Sequence, residues 1–269
     1  MKKADLHIHS TVSDGSFTIP EILERGRQKG LDILAITDHD TLSHWDQIPE
    51  DPDLTVIPGI EISAFDYGEN LRVHILGYGI RDRKTVEAFV RPLLEARHEN
   101  SVRQIEILKK HGWNIEEEKL QRVDGRFIYK QHIMEYLVRT GQVSGMFGDF
   151  YRNVFKNGGI CDFDIRYLDS CEAVRVVKEA GGLAVLAHSG QQQNFALIPK
   201  LVRSGLAGLE LNHPANSEKD KKIISEYAER YGLFLTGGSD FHGKYEKNSA
   251  DIGEFLSEEG SMWNRFSVT

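Results

Sequence analysis

Short apolar segments that each lead into polar residues recur along the chain, and they constrain its fold more than any other feature. Residues 31–37, 183–188, 207–211 and 233–236 each closely follow a glycine and have the continuous apolar pattern of buried parallel strands. Amphipathic helical patterns separate these segments, which is typical of an α/β protein. Including the strands of the first eighty residues, about seven strands alternate with helices, and we predict a distorted (β/α)7 barrel.

One long stretch interrupts this alternation. Between residues 83 and 165 the apolar residues have helical spacing and no strand pattern is convincing. We therefore predict an all-helical insertion over residues 83–165. The barrel would then be built from two segments of the chain, residues 1–82 and 166–269.

Composition excludes several classes of protein. The net charge of -8 argues against a broad basic face for nucleic acid, so we expect no stable nucleic-acid complex. Cys161 and Cys171 are too few for a disulfide scaffold. No apolar run approaches the roughly 20 residues of a membrane span, and residues 1–3 lead directly into a strand without a signal-peptide core. We expect a cytoplasmic enzyme that does not associate with membranes.

The first strand carries two histidines that favour metal binding. The period of two in Asp5-Leu6-His7-Ile8-His9 places His7 and His9 on the same side. Two neighbouring imidazoles are costly to bury unless their nitrogens are used, and a divalent metal is their commonest ligand. Asp14 follows within a Ser-Asp-Gly turn that can fold a carboxylate back over the pair.

Other histidines and acids stand at the ends of the predicted strands, where α/β barrels place their functional groups. These residues are His39, Glu61, His74, His188, His213, Asp240 and His242. Together with His7 and His9, seven of the eleven histidines of the chain stand at such positions, which indicates a site for several metals. A core role for His74 and a loop cap at His213 remain alternatives. We expect His44, His98 and His111 to face solvent.

Six segments resemble, in order, the metal-binding motifs of the PHP (polymerase and histidinol phosphatase) superfamily. They are D-L-H-I-H-S with S-D-G, I-T-D-H-D-T, P-G-I-E-I-S, V-H-I-L-G-Y, L-A-H and G-G-S-D-F-H-G. The resemblance implies a distorted seven-stranded barrel with a trinuclear centre of Mn, Fe or Zn, Mg also being possible. The implied ligand sets are His7, His9, Glu61 and Asp240 for one metal, Glu61, His74 and His188 for a second, and Asp14, His39 and His242 for a third.

Asp14 and the helical insertion resemble one branch of that superfamily. Many relatives have histidine where this chain has Asp14, whereas an acid resembles the enzymes that act on nucleoside 3',5'-bisphosphates or short oligonucleotide ends. The resemblance implies that the insertion over residues 83–165 acts as a substrate cap. The implied substrate clamp consists of Arg97, Asn100, Arg103, Lys130, Gln131 and His132. For Arg97 and Arg103, a solvated helix face is the alternative. Relatives tend to have Arg-Pro-His where this chain has Lys130, Gln131 and His132. Lysine lacks the bidentate fork of arginine, so the substrate preference of this chain stays open.

The implied centre suits hydrolysis of a small phosphorylated substrate. Three divalent cations and three ligand carboxylates leave a formal charge of about +3, which attracts a phosphate dianion. We predict attack by a metal-bridging hydroxide on a nucleotide phosphomonoester, first of all the 3'-phosphate of a nucleoside 3',5'-bisphosphate. Histidinol-phosphate phosphatase and 5'-to-3' exonuclease on short oligoribonucleotides are the alternatives. Asp38, His213 and a metal-bound water are the candidates for protonating the leaving group.

Overall fold

The computed structural model describes residues 2–243 and 250–257, in which strands and helices alternate outside one helical stretch. The strands are β1 (Ala4–Ile8), β2 (Ile33–Ile36), β3 (Thr55–Asp66), β4 (Leu71–Tyr78), β5 (Leu168–Asp169), β6 (Leu183–Leu186), β7 (Gly208–Asn212) and β8 (Phe234–Gly237). The α-helices are α1 (Ile19–Gln28), α2 (Arg83–Lys110), α3 (Lys130–Arg139), α4 (Asp149–Phe155), α5 (Ser170–Glu179), α6 (Ser189–Gln192), α7 (Ile198–Ser204) and α8 (Glu218–Tyr231).

Seven strands form one curved sheet in the order β1-β2-β3-β4-β6-β7-β8, and the two-residue β5 pairs with β3 outside this path. Ile8 at the end of β1 bridges to Phe241 just after β8. The backbone N–H of His9 also donates to the carbonyl of Phe241, at 2.9 Å. The first and last strands therefore lie side by side and the sheet nearly closes, so the predicted distorted barrel is confirmed.

The distortion of the barrel comes from β4, which runs antiparallel to both β3 and β6, whereas the other pairs on the path are parallel. Only residues 67–70 connect β3 to β4, and a parallel crossover needs roughly a dozen residues or more. The Asp66 carboxylate accepts hydrogen bonds from the N–H groups of Gly68 and Glu69, both at 3.1 Å. Asn70 completes the turn with a positive φ of 56°. A short hairpin thus replaces one β/α unit.

β3 changes its partner along its length. Its first residues pair parallel with β2, and from Gly59 onward it pairs antiparallel with β4. A Cβ atom at Gly59 would lie 2.9 Å from Cγ2 of Thr37 and 3.1 Å from the carbonyl oxygen of Gly77. The position at which β3 changes partner is therefore too crowded for a side chain, and it needs glycine. Glu61 and His74 consequently lie inside strands, not at strand ends as the sequence suggested.

The segment from residue 83 to 165 contains α2, α3, α4 and a short 3-10 helix at Glu117–Lys119. Val86 and Val90 in the first half of α2 are buried in the core of the barrel. Ile105 and Leu108 in its second half are buried in a separate core with α3 and α4. α2 therefore packs against both parts of the molecule. None of the helices described is both long and apolar enough to cross a bilayer.

The barrel closes so tightly that Gly238 should not tolerate a side chain. A Cβ atom there would lie 2.3 Å from Cβ of His7 and 2.5 Å from its backbone nitrogen. We expect Gly238→Ala to lower the free energy of unfolding by about 1–3 kcal/mol or more, because β1 and the chain after β8 would have to separate. Urea unfolding followed by circular dichroism measures this change. Gly145→Ala is the matched control, since its Cβ meets nothing within 4 Å; equal stability of the two variants would contradict the proposed tight contact.

Candidate metal centre

The nine side chains that the resemblance implied as ligands converge at one rim of the barrel. Four groups of side chains each have potential ligand atoms within 4.8 Å of one another. Three of them consist of implied ligands: His7 with His9, Glu61 and Asp240; His9 with Asp14, His39 and His242; and His39 with Glu61 and His74. The fourth group is His7 with Glu210 and His213. His188 joins the cluster through its Nε2 atom, which lies 2.9 Å from Oε1 of Glu61. The observed groups resemble the three implied sets but share His9 and His39 between them.

Glu61 lies at the centre of this cluster. Its Oε2 atom is 3.2 Å from Nε2 of His7 and 3.1 Å from Nε2 of His9. Its Oε1 atom is 2.7 Å from Nδ1 of His74. Because its two oxygens face different histidines, this carboxylate has the arrangement of a ligand that bridges two metals.

Asp240 and Asp14 lie on either side of His9. The Oδ1 atom of Asp240 is 3.2 Å from Nε2 of His9, and Oδ1 of Asp14 is 3.9 Å from its Nδ1 atom. The Asp14 carboxylate is also 3.5 Å from Nε2 of His242. Asp240 has a positive φ of 52° and His188 one of 24°, conformations uncommon outside glycine and found at functional sites.

Electrostatics keep the carboxylates of the cluster ionised. Burial raises the pKa of Glu61, but the surrounding imidazoles, led by His39 and His74, outweigh it and hold this pKa well below the usual value. The pKa of Asp240 is likewise held well below its usual value, because nearby imidazoles, led by His7, outweigh its burial. Burial lowers the pKa of His39 to about 4, so this imidazole is neutral at pH 7. Burial lowers the pKa values of His7, His9 and His188, but the neighbouring carboxylates outweigh it and raise all three. Metals bind ionised carboxylates and neutral imidazoles, so metal binding at these three rings would displace protons.

Several buried atoms of the cluster make no hydrogen bond within the described chain. They are Nε2 of His7, both ring nitrogens of His9, Nδ1 of His39, Nδ1 of His188 and Oδ1 of Asp240. Buried polar atoms are nearly always paired, and metal ions at these positions would satisfy most of them at once. The donor set of imidazoles and carboxylates fits Mn, Fe or Zn better than Ca. The residues present therefore fit a metal centre, while the identity and the number of the metals stay predictions.

A continuous groove leads from this centre to a basic pocket. The metal cleft of about 160 Å³ shares His39, His74 and Gln131 with a neighbouring cavity of about 130 Å³. That cavity continues through Arg97 into a pocket of about 120 Å³. The polar lining of this last pocket, which we call the basic pocket, includes Arg72, Arg97, Asn100, Lys130, Gln131, Lys156 and Asp164.

Arg97 is held firmly between the basic pocket and the metal centre. Its Nε and Nη2 atoms donate to Oδ2 of Asp40 at 3.1 and 2.9 Å, and Nη2 donates to Oγ of Ser63 at 2.8 Å. Its guanidinium also lies 5.1 Å from the ring of Tyr129 and 5.6 Å from that of Tyr167. Burial lowers the pKa of Arg97, but Asp40 outweighs it and raises this pKa above its ordinary value.

Two members of the implied substrate clamp lie elsewhere. Arg103 is exposed on α2, and its guanidinium stacks on the ring of Phe163 at 4.3 Å. His132 is buried, accepts a hydrogen bond from the N–H of Tyr129 at its Nδ1 atom and donates from Nε2 to the carbonyl of Ser13. His132 therefore attaches α3 to the turn that carries Asp14, and neither residue lines the groove.

The two candidate proton donors, Asp38 and His213, are buried behind the ligands and line none of these cavities. Asp38 accepts hydrogen bonds from the N–H and Oγ of Ser10 and from Oγ of Ser13, at 2.6 to 2.8 Å. Their role in protonating the leaving group stays a prediction.

The expectation that His44 faces solvent is wrong: its ring is fully buried, with Nδ1 3.3 Å from Oδ2 of Asp38.

Sequence reasoning missed two buried acids that support the site. Glu210 on β7 contacts His7, and Asp40 holds Arg97. Glu210 is a single acid in an otherwise apolar strand. An acid is costly to bury without a partner, so this pattern could have indicated that Glu210 contacts a site residue. Asp40 belongs to the motif I-T-D-H-D-T, but only the fold shows that it faces the insertion.

A barrel rim that gathers buried imidazoles and carboxylates beside a cationic pocket defines a metal-dependent phosphoesterase. The profile of the family described as PHP domain matches residues 5–158, and the chain belongs to this family. It is therefore a hydrolase acting on phosphoester bonds.

Individual relatives differ in the substrate that their names give. The chain is 44% identical over 248 residues to a phosphoribosyl 1,2-cyclic phosphate 1,2-diphosphodiesterase of Eggerthella lenta, covering 90% of this chain and 94% of that one. It is 29% identical to a 3',5'-nucleoside bisphosphate phosphatase of Chromobacterium violaceum, covering 94% and 91%. A crystal structure of a candidate metal-dependent phosphoesterase from Bifidobacterium adolescentis superposes with a TM-score of 0.84 at 29% identity, covering 95% and 92%.

Removing one carboxylate should empty the centre without unfolding the barrel. We expect Asp240→Asn to lower Mn²⁺ affinity and the rate of p-nitrophenyl phosphate hydrolysis at least about 100-fold. Mutating a residue that only hydrogen-bonds to a metal ligand typically lowers metal affinity or activity about 10–100-fold, and loss of a ligand should cost at least as much. Mn²⁺ content after dialysis, measured by mass spectrometry, and steady-state rates check this expectation.

The matched control for this variant is His111→Ala, an exposed histidine at the end of α2. It should retain the metal content and the rate of the wild type. Wild-type metal content in Asp240→Asn, with an unchanged circular dichroism spectrum, would remove Asp240 from the ligand set.

Proposed function

We propose that this phosphoesterase hydrolyses a phosphoester on a ribose that carries a second phosphate, which the basic pocket holds while the first lies at the metal centre. The observation that supports this most is the continuous groove between the two. In a chain with a net charge of -8, the basic pocket is lined by Arg72, Arg97, Lys130 and Lys156. Arg72 is paired with Asp164 and Arg97 with Asp40, so four cations face two carboxylates. The remaining excess of about two positive charges suits a dianionic phosphate.

The side chains of the groove are arranged to bind and orient such a substrate. Arg97 is already fixed by Asp40 and Ser63, so it would lose little freedom on binding phosphate. Lys130 and Lys156 make no ion pair with any described residue, which leaves their charges available. Gln131 lines all three cavities and stands where the sugar between the two phosphates would pass.

The nine converging side chains would hold the metals at the other end of the groove. Divalent cations there would supply Lewis acidity toward the phosphoryl oxygens and a hydrolytic nucleophile at neutral pH. The rim position of His74, which is partly exposed beside the mouth of the cavity, leaves room for the ester to enter.

We propose a phosphoribosyl 1,2-cyclic phosphate as the first candidate substrate. The 44% identity with the Eggerthella lenta diphosphodiesterase, over nearly the whole of both chains, supports it over the 29% identity with the bisphosphate phosphatase. The second candidate is the 3'-phosphate of a nucleoside 3',5'-bisphosphate, which the Asp14 turn and the insertion favour. Both candidates place two phosphates on one ribose, which agrees with the proposed use of the groove.

A panel of substrates decides between these candidates. With Mn²⁺ added, we expect kcat/KM for phosphoribosyl 1,2-cyclic phosphate to exceed that for adenosine 3',5'-bisphosphate, histidinol phosphate and a 5'-phosphorylated trinucleotide at least about 10-fold, equivalent to roughly 1.4 kcal/mol. ³¹P NMR follows ring opening and phosphate release in the same sample. The reverse order would favour the nucleotide, and equal rates on histidinol phosphate would contradict a second-phosphate pocket.

The basic pocket itself is tested by Lys130→Met. Loss of one charged contact of about 1.5–3 kcal/mol should raise KM for a two-phosphate substrate about 10–100-fold. KM for p-nitrophenyl phosphate, which has no second phosphate, should change less than about twofold. Lys110→Met, at the exposed end of α2, is the control. A uniform rise in KM for both substrates would place Lys130 outside the pocket's function.

A further inference from the structure

β7 differs from the other strands that reach the metal centre, because neither it nor the loop that follows supplies an implied ligand. It supplies Glu210 and His213 instead, both buried, with relative exposures of 1% and 2%. Each contacts a different ligand from behind. These contacts determine which atoms of those ligands can face a metal.

Glu210 uses both of its carboxylate oxygens. Oε1 lies 2.9 Å from Nδ1 of His7, and Oε2 accepts from the backbone N–H of His188 at 2.8 Å. An ionised carboxylate can only accept hydrogen bonds, so Nδ1 of His7 must carry the proton. In the neutral ring, which is the form that binds a metal, the lone pair of His7 is then on Nε2, which lies 3.2 Å from Glu61 and 3.3 Å from Asp240.

His213 fixes the other side of the same ligand group. Its Nδ1 atom accepts from the backbone N–H of Ala215 at 3.0 Å, so the ring proton is on Nε2. Nε2 then donates to Oδ2 of Asp240 at 3.3 Å. This bond leaves Oδ1 of Asp240 toward Nε2 of His7 and of His9, at 3.3 and 3.2 Å.

The loop that carries His213 is itself held rigidly. The side chain of Asn216 donates to the carbonyls of Glu210 and Leu211, at 3.1 and 3.0 Å, and accepts from the N–H of Gly190 at 2.9 Å. Gly190 lies two residues after His188, so this loop also braces the end of β6. Carboxylates and backbone groups that hold ligands in this way typically raise metal affinity.

We propose that Glu210 and His213 are positioning residues that fix the tautomer of His7 and the free oxygen of Asp240, and that His213 is not the acid for the leaving group. The proposal rests on the metal centre of the proposed function, but not on which phosphoester is hydrolysed. Metal affinity and substrate choice are measured separately, so failure of one is distinguishable from failure of the other.

Glu210→Gln tests the first half of the proposal. The amide has one oxygen, so it cannot accept from both His7 and the N–H of His188 as the carboxylate does. We expect Mn²⁺ affinity, measured by competition with a fluorescent chelator, to fall about 10–100-fold. Glu226→Gln, an exposed substitution of the same type on α8, should retain wild-type affinity. Wild-type affinity in Glu210→Gln would overturn the role of Glu210.

His213→Gln and His213→Ala test the second half and do not depend on Glu210→Gln folding. The glutamine amide can still donate to Asp240 but cannot protonate a leaving group, whereas alanine does neither. We expect Mn²⁺ affinity to fall about 10–100-fold in His213→Ala and to be restored to within about threefold in His213→Gln. Wild-type affinity in His213→Ala would overturn the role of His213.

The leaving group separates positioning from acid catalysis. p-Nitrophenolate leaves without a proton, whereas an alkoxide needs one. In His213→Gln we expect the ratio of rates on p-nitrophenyl phosphate and on an alkyl phosphate to equal the wild-type ratio within about threefold. If His213 were the acid, the alkyl substrate alone would slow by roughly 10²–10⁴-fold at wild-type metal affinity, and that result would overturn the proposal.

Discussion

The structure depends on one buried carboxylate, that of Glu61. A charged side chain removed from water is costly unless it is closely paired, and Glu61 is only 1% exposed. Its partners are five imidazoles, those of His7, His9, His39, His74 and His188. These histidines lie on or just after β1, β2, β4 and β6, which surround β3 in the sheet, so the carboxylate is fully paired only when these strands have assembled. The cost of burying Glu61 is therefore coupled to the assembly of this part of the sheet.

The same requirement explains why the barrel is distorted at β4. In a regular parallel barrel, functional residues reach the rim only from strand ends. The reversed hairpin instead brings the middle of β3 and of β4 to the rim, where Glu61 and His74 meet at 2.7 Å. The two strands of this hairpin thus supply one candidate ligand each from within a strand, where a parallel unit would supply residues of a strand end. The connection at residues 67–70 is too short for a parallel crossover, so its length accounts for this reversal.

Sequence patterns predicted the barrel, its helical interruption and the types of residue at the metal centre, because strand periodicity and strand ends are local properties. They could not predict the residues behind the ligands. Whether Glu210 faces His7, or Asp38 faces Ser10 and His44, depends on the pairing of strands distant in sequence. His44 was misassigned for this reason, since a histidine outside a strand end gives no local sign that a neighbouring loop will cover it. His132 similarly appeared to belong to a phosphate clamp, whereas the fold directs it to the carbonyl of Ser13.

The insertion and the metal centre are linked through two consecutive residues. His39 lies in the metal cluster, and Asp40, which follows it with a positive φ of 57°, faces the opposite way and holds Arg97 on α2. Movement of α2 would therefore pull on the same backbone that positions His39. The bond between Asp40 and Arg97 thus fixes the spacing between the basic pocket and the candidate metal centre. Under the proposed function, this rigid spacing would select substrates by the distance between their two phosphates. That selection would be stricter than attraction by charge, because any anion is attracted but only one of the right length would reach both ends.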